Sequence, residues 1–302
     1  MANSPLEVLK KARQEAIHKN LGKWMATTRI NVGMSTCEIA AGSRVVMDAI
    51  LDEIRTRKIK DVYVGRKGCV GRCHEEPTVE VFQAGKLPFK YTNVDEKKAR
   101  ALVVDHLVRN IPSPKPPEGY TAVSSEVLTD KSRYVFGDIE FFRRQKRIAL
   151  RNCGVVDPES LDDYLAVRGY EALARVLTAG SPQAVIDQVK KAGLRGRGGG
   201  GFPTGVKWQF AADQKADLKY VICNADEGDP GAFMDRGVIE GDPYTVLEAM
   251  TIGGYATGAA RGIVYIRAEY PLAVERLRKA IARAREMHLL GAGILGSSFS
   301  FD

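Results

Sequence analysis

At 302 residues the chain is long enough for two domains, each with a core of its own. Hydrophobic residues make up 44% and charged residues 27%, an ordinary globular balance, and no apolar run approaches the roughly 20 residues of a membrane helix, so direct membrane insertion is not expected. The net charge of +8 is dispersed, densest at Phe141–Arg147, and no helix-turn-helix, zinc-finger or RNA-recognition pattern accompanies it; a diphosphate ligand or an acidic partner suits it better than nucleic acid. The first residues lack a signal-peptide apolar region, which gives a cytoplasmic expectation.

Residues 1–27 read as an N-terminal helix. Residues 28–111 alternate between periods: a strand at Thr28–Gly33, a helix over Glu38–Arg57, strands at Asp61–Val64 and Thr78–Phe82, a further strand within Leu87–Val94, and a helix over Glu96–Val108. This β-α-β-β-α order suits a small thioredoxin-like domain. Pro112, Pro114, Pro116 and Pro117 then mark a stiff linker within an extended segment, residues 112–156.

Residues 157–302 form the second domain. Asp157-Pro158 and Ser181-Pro182 each place a capping side chain before a proline at a helix start, the second opening a helix that stops at Gly193. Leu218–Cys223 and Gly262–Ile266 read as buried strands, with helices at Thr245–Tyr255 and Pro271–Met287, an alternation that predicts an α/β layer with a parallel sheet.

Arg195-Gly196-Arg197-Gly198-Gly199-Gly200-Gly201-Phe202-Pro203-Thr204-Gly205-Val206-Lys207-Trp208 is the most informative stretch. It formally contains G-x-G-x-x-G, but a helix rather than a strand precedes it, and no Gly-Lys-Ser/Thr follows, so neither the dinucleotide fingerprint nor the Walker A pattern holds. Four consecutive glycines let backbone amides approach an anion closely, Arg195, Arg197 and Lys207 add positive charge, and Phe202, Trp208 and Phe210 offer ring faces. A second stretch, Cys223-Asn224-Ala225-Asp226-Glu227-Gly228-Asp229-Pro230-Gly231, does not meet EF-hand spacing, and its position after a strand marks a ligand-binding turn.

Together these two stretches resemble the NADH-binding flavoprotein subunit of respiratory complex I and the diaphorase or beta subunits of NAD-linked hydrogenases and formate dehydrogenases. Arg151-Asn152-Cys153-Gly154, Gly169-Tyr170-Glu171-Ala172-Leu173 and Phe299-Ser300-Phe301-Asp302 agree with them. The resemblance implies an α/β fold class: a thioredoxin-like ferredoxin domain, a helical segment, and a Rossmann-like FMN- and NADH-binding domain, C-terminally incomplete. It implies that Gly196, Arg197, Gly198, Lys207, Asn224, Asp226 and Glu227 hold FMN, and that Gly199, Gly200, Phe202, Phe210 and Asp229 meet NADH, the two phenylalanines around the adenine. Asp229 stands where the complex I subunit carries a glutamate near the adenosine ribose. No catalytic side chain is implied, because flavin N5 carries the chemistry. The implied activity is hydride transfer between NAD(H) and FMN, with single electrons passed to iron–sulfur clusters. The implied partners are a small thioredoxin-like [2Fe–2S] subunit and a larger iron–sulfur or catalytic redox subunit, in a complex that can sit peripherally on a membrane. A [4Fe–4S] cluster belongs only to the family region beyond Asp302. A non-catalytic adaptor bridging redox subunits, or an NAD-binding regulatory module without FMN, is the alternative.

Cys69 and Cys73 form a C-x-x-x-C on a turn between strands, which in ferredoxins of this kind ligates one side of a [2Fe–2S] cluster. Cys37 matches one position of the second pair, but Val32 occupies the other. Two readings stay open: the cluster is lost and the domain is a docking module, or an unusual fourth ligand completes it. His74 is a candidate awkwardly adjacent to Cys73, and zinc on three thiolates and a histidine is a further option. Cys153 and Cys223 read as small buried residues.

Overall fold

The computed structural model describes residues 4–25, 28–84, 86, 88–112 and 144–302; most of the proline-rich linker and Phe141–Arg143 of the basic cluster lie outside the described residues. In chain order the described elements are α1 (Pro5–Met25), β1 (Thr28–Gly33), α2 (Thr36–Ala40), α3 (Ser43–Thr56), β2 (Val62–Lys67), β3 (Val79–Phe82), β4 (Phe89–Tyr91) and α4 (Glu96–Val103). There follow α5 (Leu161–Ala166), α6 (Glu171–Ala179), α7 (Pro182–Lys191), α8 (Thr204–Asp213), β5 (Tyr220–Ala225), α9 (Met234–Gly241), α10 (Pro243–Thr257), β6 (Arg261–Ile266) and α11 (Pro271–Glu286). The chain is mixed α/β. It divides into two compact units: a cysteine unit of Glu15–Val167 with Phe233–Pro243, and a glycine-loop unit of Met1–Gln14, Arg168–Ala232 and Tyr244–Asp302. Among the described residues no helix is long and apolar enough to cross a membrane.

The cysteine unit is built on a four-stranded sheet of order β2-β1-β3-β4, in which β1 pairs parallel with β2 and antiparallel with β3. Val and Ile supply the buried positions of β1 and β3 because branched side chains pack well on a pleat. Ile30, Val32, Val79 and Val81 meet Val46 and Ile50 of α3 and Leu102 and Val103 of α4 in one core. The helix expected over Glu38–Arg57 is instead two helices. Gly42 takes φ +106° at the break, a left-handed conformation that ends α2 and starts α3 on a new axis. The cap expected at Asp157 is also corrected. α5 begins at Leu161 with Ser160 as its cap, because the Asp157 carboxylate is already engaged by the amides of Glu159 and Arg66.

In the glycine-loop unit Ser181 caps α7 as expected, its hydroxyl accepting from the Ala184 amide, with Pro182 opening the helix. β5 and β6 pair in parallel, Tyr220 with Arg261 through Ala225 with Ile266. They are not buried as the sequence suggested: Tyr220, Ile222, Ile263 and Tyr265 are exposed, so the described pair is covered on one face only. The motif around Tyr170 has a structural explanation. The Glu248 carboxylate of α10 accepts from the amides of Tyr170 and Leu173 and caps α6 from outside the helix. Phe301 likewise fills space left open by Gly254 and Gly262, while Asp302 receives a two-point contact from Arg285.

Candidate cofactor and metal sites

The glycine-rich stretch is a loop closed at its neck. The Gly196 amide donates to the Phe202 carbonyl at 2.9 Å, the Thr204 amide donates to Leu194, and Arg195 Nε donates to the Gly201 carbonyl at 2.6 Å. Arg195, which the sequence offered as ligand charge, is thus a clamp across the loop. Between the clamped ends, a β-carbon built on Gly198, Gly199 or Gly200 would meet nothing within 4 Å, and Gly199 adopts φ +97°. An exposed, side-chain-free backbone of this form is what close approach by a phosphate requires. The loop runs through Pro203 directly into α8, whose first-turn amides and dipole favour an anion at that end.

α8 then presents Lys207, exposed to solvent, next to Trp208 and one turn before Phe210. Trp208 turns inward against Val185, Ile186 and Ala256, so it is a core anchor and not a ligand face. Phe202 and Phe210 stay more than half exposed, their ring centroids 6.4 Å apart and tilted by 45°. That spacing is near the ~7 Å that a third ring needs between them, twice a carbon contact distance. α8 lies unusually close to α7: a β-carbon at Gly205 would fall 2.6 Å from the Lys190 amide nitrogen.

The acidic turn starts where β5 ends. The Asn224 side chain accepts from the Asp226 amide at 3.0 Å and folds the chain back, leaving Asn224, Asp226 and Asp229 exposed. Glu227 differs from them. Its carboxylate is buried and accepts from the Tyr270 hydroxyl at 3.2 Å, and its carbonyl accepts from Arg267 Nη1 at 2.6 Å. Arg267 also stands 5.7 Å over the Tyr270 ring. Arg267 and Tyr270 were missed in the sequence, although polar residues just beyond the end of β6 are where an α/β layer places ligand-facing groups.

In the cysteine unit Cys37, Cys69 and Cys73 come together, and Glu76 joins them: the donor atoms of all four lie within 4.8 Å of one another. Cys69 Sγ and Cys73 Sγ are 3.7 Å apart, and Glu76 Oε1 accepts from Cys37 at 3.3 Å and Cys69 at 3.2 Å. The thiols are tightly linked. The hydrogen bond to Cys69, with burial, pushes the Cys37 thiol far up, while the same bond holds Cys69 below the usual thiol value. Burial and the charge at Cys69 raise Cys73 to about 11. His74 points away, its side chain 78% exposed and facing Glu75. Val32 is buried in the β1 core. A four-cysteine [2Fe–2S] centre therefore does not fit these residues. Cys153 is fully buried as expected, whereas Cys223 on β5 is only half-buried.

Elsewhere in the cysteine unit α9 braces this cluster. The Glu240 carboxylate accepts from the Thr36 amide at 2.8 Å and from its hydroxyl at 2.5 Å, immediately before Cys37.

Residues 189–294 match the family described as the Nuo51 FMN-binding domain. The chain is 67% identical over 160 residues to the NADP-reducing hydrogenase subunit HndC of Solidesulfovibrio fructosivorans, a match covering 53% of this chain and 32% of that protein. It is 47% identical over 154 residues to an NADH-quinone oxidoreductase subunit of Rhizobium meliloti, covering 51% and 37%. It is 46% identical over 122 residues to the NAD-reducing hydrogenase HoxS subunit alpha of Cupriavidus necator, covering 40% and 20%. The chain thus spans only about a third of the length of the first two relatives and less of the third.

Proposed function

We propose that the glycine-loop unit binds FMN and NADH and serves as the NADH-oxidising module of a larger redox complex. The observation that carries this reading is the clamped loop at Gly196–Gly201, side-chain-free and open at Gly198–Gly200 and running into the N-terminus of α8, inside a segment that matches an FMN-binding family. Successive helix and strand in an α/β layer run antiparallel, so the start of α8 and the end of β5 share one edge. Gly196 anchors the neck of the loop, and the Gly198 amide, with Arg197 and Lys207, holds the flavin phosphate there; Asn224, Asp226 and Glu227 line the ring from the turn. Arg267 and Tyr270 fix the backbone and carboxylate of Glu227, which orients that wall of the site. Phe202 and Phe210 take the adenine of NADH between their exposed faces, Gly199 and Gly200 admit its diphosphate, and the Asp229 carboxylate disfavours a 2′-phosphate. FMN, when bound, supplies the hydride-accepting N5 and the passage from two-electron to one-electron transfer. The strand order β2-β1-β3-β4 supports a thioredoxin-like domain ahead of this module, suited to docking against iron–sulfur partner subunits.

The test is anaerobic titration of the purified full-length protein with NADH. Stoichiometric FMN and bleaching of its absorbance support the assignment; absence of flavin from protein loaded with FMN, or no spectral response to NADH, overturns it.

A further inference from the structure

We propose that Cys37, Cys69, Cys73 and Glu76 form a closed, mononuclear site for a zinc-class divalent cation, a structural centre in place of an electron-carrying cluster.

Three observations carry this. First, the donor set is complete without a fourth cysteine: three sulfurs and one carboxylate oxygen lie within 4.8 Å of one another. Second, the separations are close to those around one ion, the sulfur pair matching and the carboxylate sitting slightly inside. Tetrahedral zinc with bonds of about 2.3 Å to sulfur and about 2.1 Å to oxygen sets ligands roughly 3.6–3.8 Å apart. The observed separations are 3.7 Å between Cys69 and Cys73, and 3.3 and 3.2 Å from Glu76 to Cys37 and Cys69. Two bridged irons would hold ligands on opposite irons further apart than a single ion does. Third, Glu76 is more than nine-tenths buried and its Oε2 has no hydrogen-bond partner. A buried carboxylate oxygen with nothing to accept from is costly, and a cation among the donors removes that cost.

The surroundings are those of a metal-thiolate centre. The Gly71 amide donates to Cys69 Sγ at 3.2 Å, the Cys69 amide donates to Ser35, and the carboxylate of Glu240 fixes the turn that carries Cys37. Such outer contacts orient ligands and tune the ion. Zinc has no redox chemistry, so electrons leaving the flavin would not route through this unit.

The test uses the full-length protein, with metal analysis of wild type, Glu76→Gln and Cys73→Ser. Wild type should carry one zinc per chain at this site, and each variant, having lost a direct ligand, should lose it to a chelator at least about 10- to 100-fold more readily, the range that changes in outer contacts alone reach, with iron, acid-labile sulfide and FMN unchanged. Cobalt(II) exchanged into wild type should show the visible bands of a tetrahedral site with three thiolates, a readout that survives if a variant does not fold. Loss of iron and sulfide instead of zinc in the variants, or wild type with no zinc and no cobalt spectrum, overturns the proposal. Because NADH bleaching of the flavin is read separately, failure here leaves the flavin assignment standing, and the reverse.

Discussion

Gly205→Ala sets two effects of opposite sign against each other. Alanine is the better helix former, by about 1 kcal/mol, so propensity alone predicts a more stable α8. The structure predicts the reverse. The new methyl group would sit 2.6 Å from both the amide nitrogen and Cγ of Lys190 and 2.9 Å from its Cα, and two of these three atoms are helix backbone that cannot swing aside. Forcing an extra carbon into such a contact costs about 1–3 kcal/mol, occasionally more. The net expectation is a loss of about 1 kcal/mol, with α8 displaced from α7 and Lys207 and Phe210 displaced with it. Urea denaturation followed by far-ultraviolet circular dichroism measures this as a lower midpoint at unchanged slope. Gly198→Ala is the matched control. Its added carbon meets nothing within 4 Å and its backbone is not left-handed, so the midpoint should hold while FMN affinity falls. A midpoint for Gly205→Ala equal to or above wild type would refute the reasoning.

Two further outcomes test other parts of the molecule. Phe202→Leu and Phe210→Leu should each raise the KM for NADH about tenfold, with FMN content unchanged, because each removes one ring face worth about 1–3 kcal/mol per stacked base; steady-state kinetics with an artificial acceptor reads this. His106 is buried, shares a hydrogen bond of 2.8 Å with the Tyr91 hydroxyl and packs edge-on to Phe89, and burial with the nearby Lys86 lowers its pKa to about 4. Its neutral form is the folded one, so its contribution is complete above about pH 6.5 and declines as pH falls towards 4. The stability gap between wild type and His106→Asn should therefore narrow by about 3 kcal/mol over that range in denaturant titrations.

The elements most legible in the sequence were those with local signals. The Ser181-Pro182 start of α7 needs only its own side chain and the Ala184 amide, and β1 and β3 announce themselves through branched residues at alternating positions. What escaped depends on partners distant in sequence. Asp157 has the composition of a helix cap, yet Arg66 competes for its carboxylate from β2. The exposure of Ile222 and Tyr265 could not be read from strands that look uniformly apolar, because periodicity cannot say which face is covered. The glycine loop was legible as a phosphate cradle, but not that Arg195 would spend its guanidinium on the loop itself. Glu76 was missed as a companion of the three cysteines because a single glutamate three residues past Cys73 carries no spacing signal. Only the fold brings it to Cys37, 39 positions earlier.

Binding of FMN and riboflavin to the apo form of the full-length protein, followed by flavin fluorescence, tests the phosphate-holding loop most directly. The two ligands differ only in the phosphate, and charge-assisted hydrogen bonds contribute about 1.5–3 kcal/mol each. Wild type should prefer FMN by about 100-fold, and Gly198→Ala should erase most of that preference while leaving riboflavin binding nearly unchanged. Equal affinity for the two flavins, or a preference untouched by Gly198→Ala, would contradict the role given to the loop.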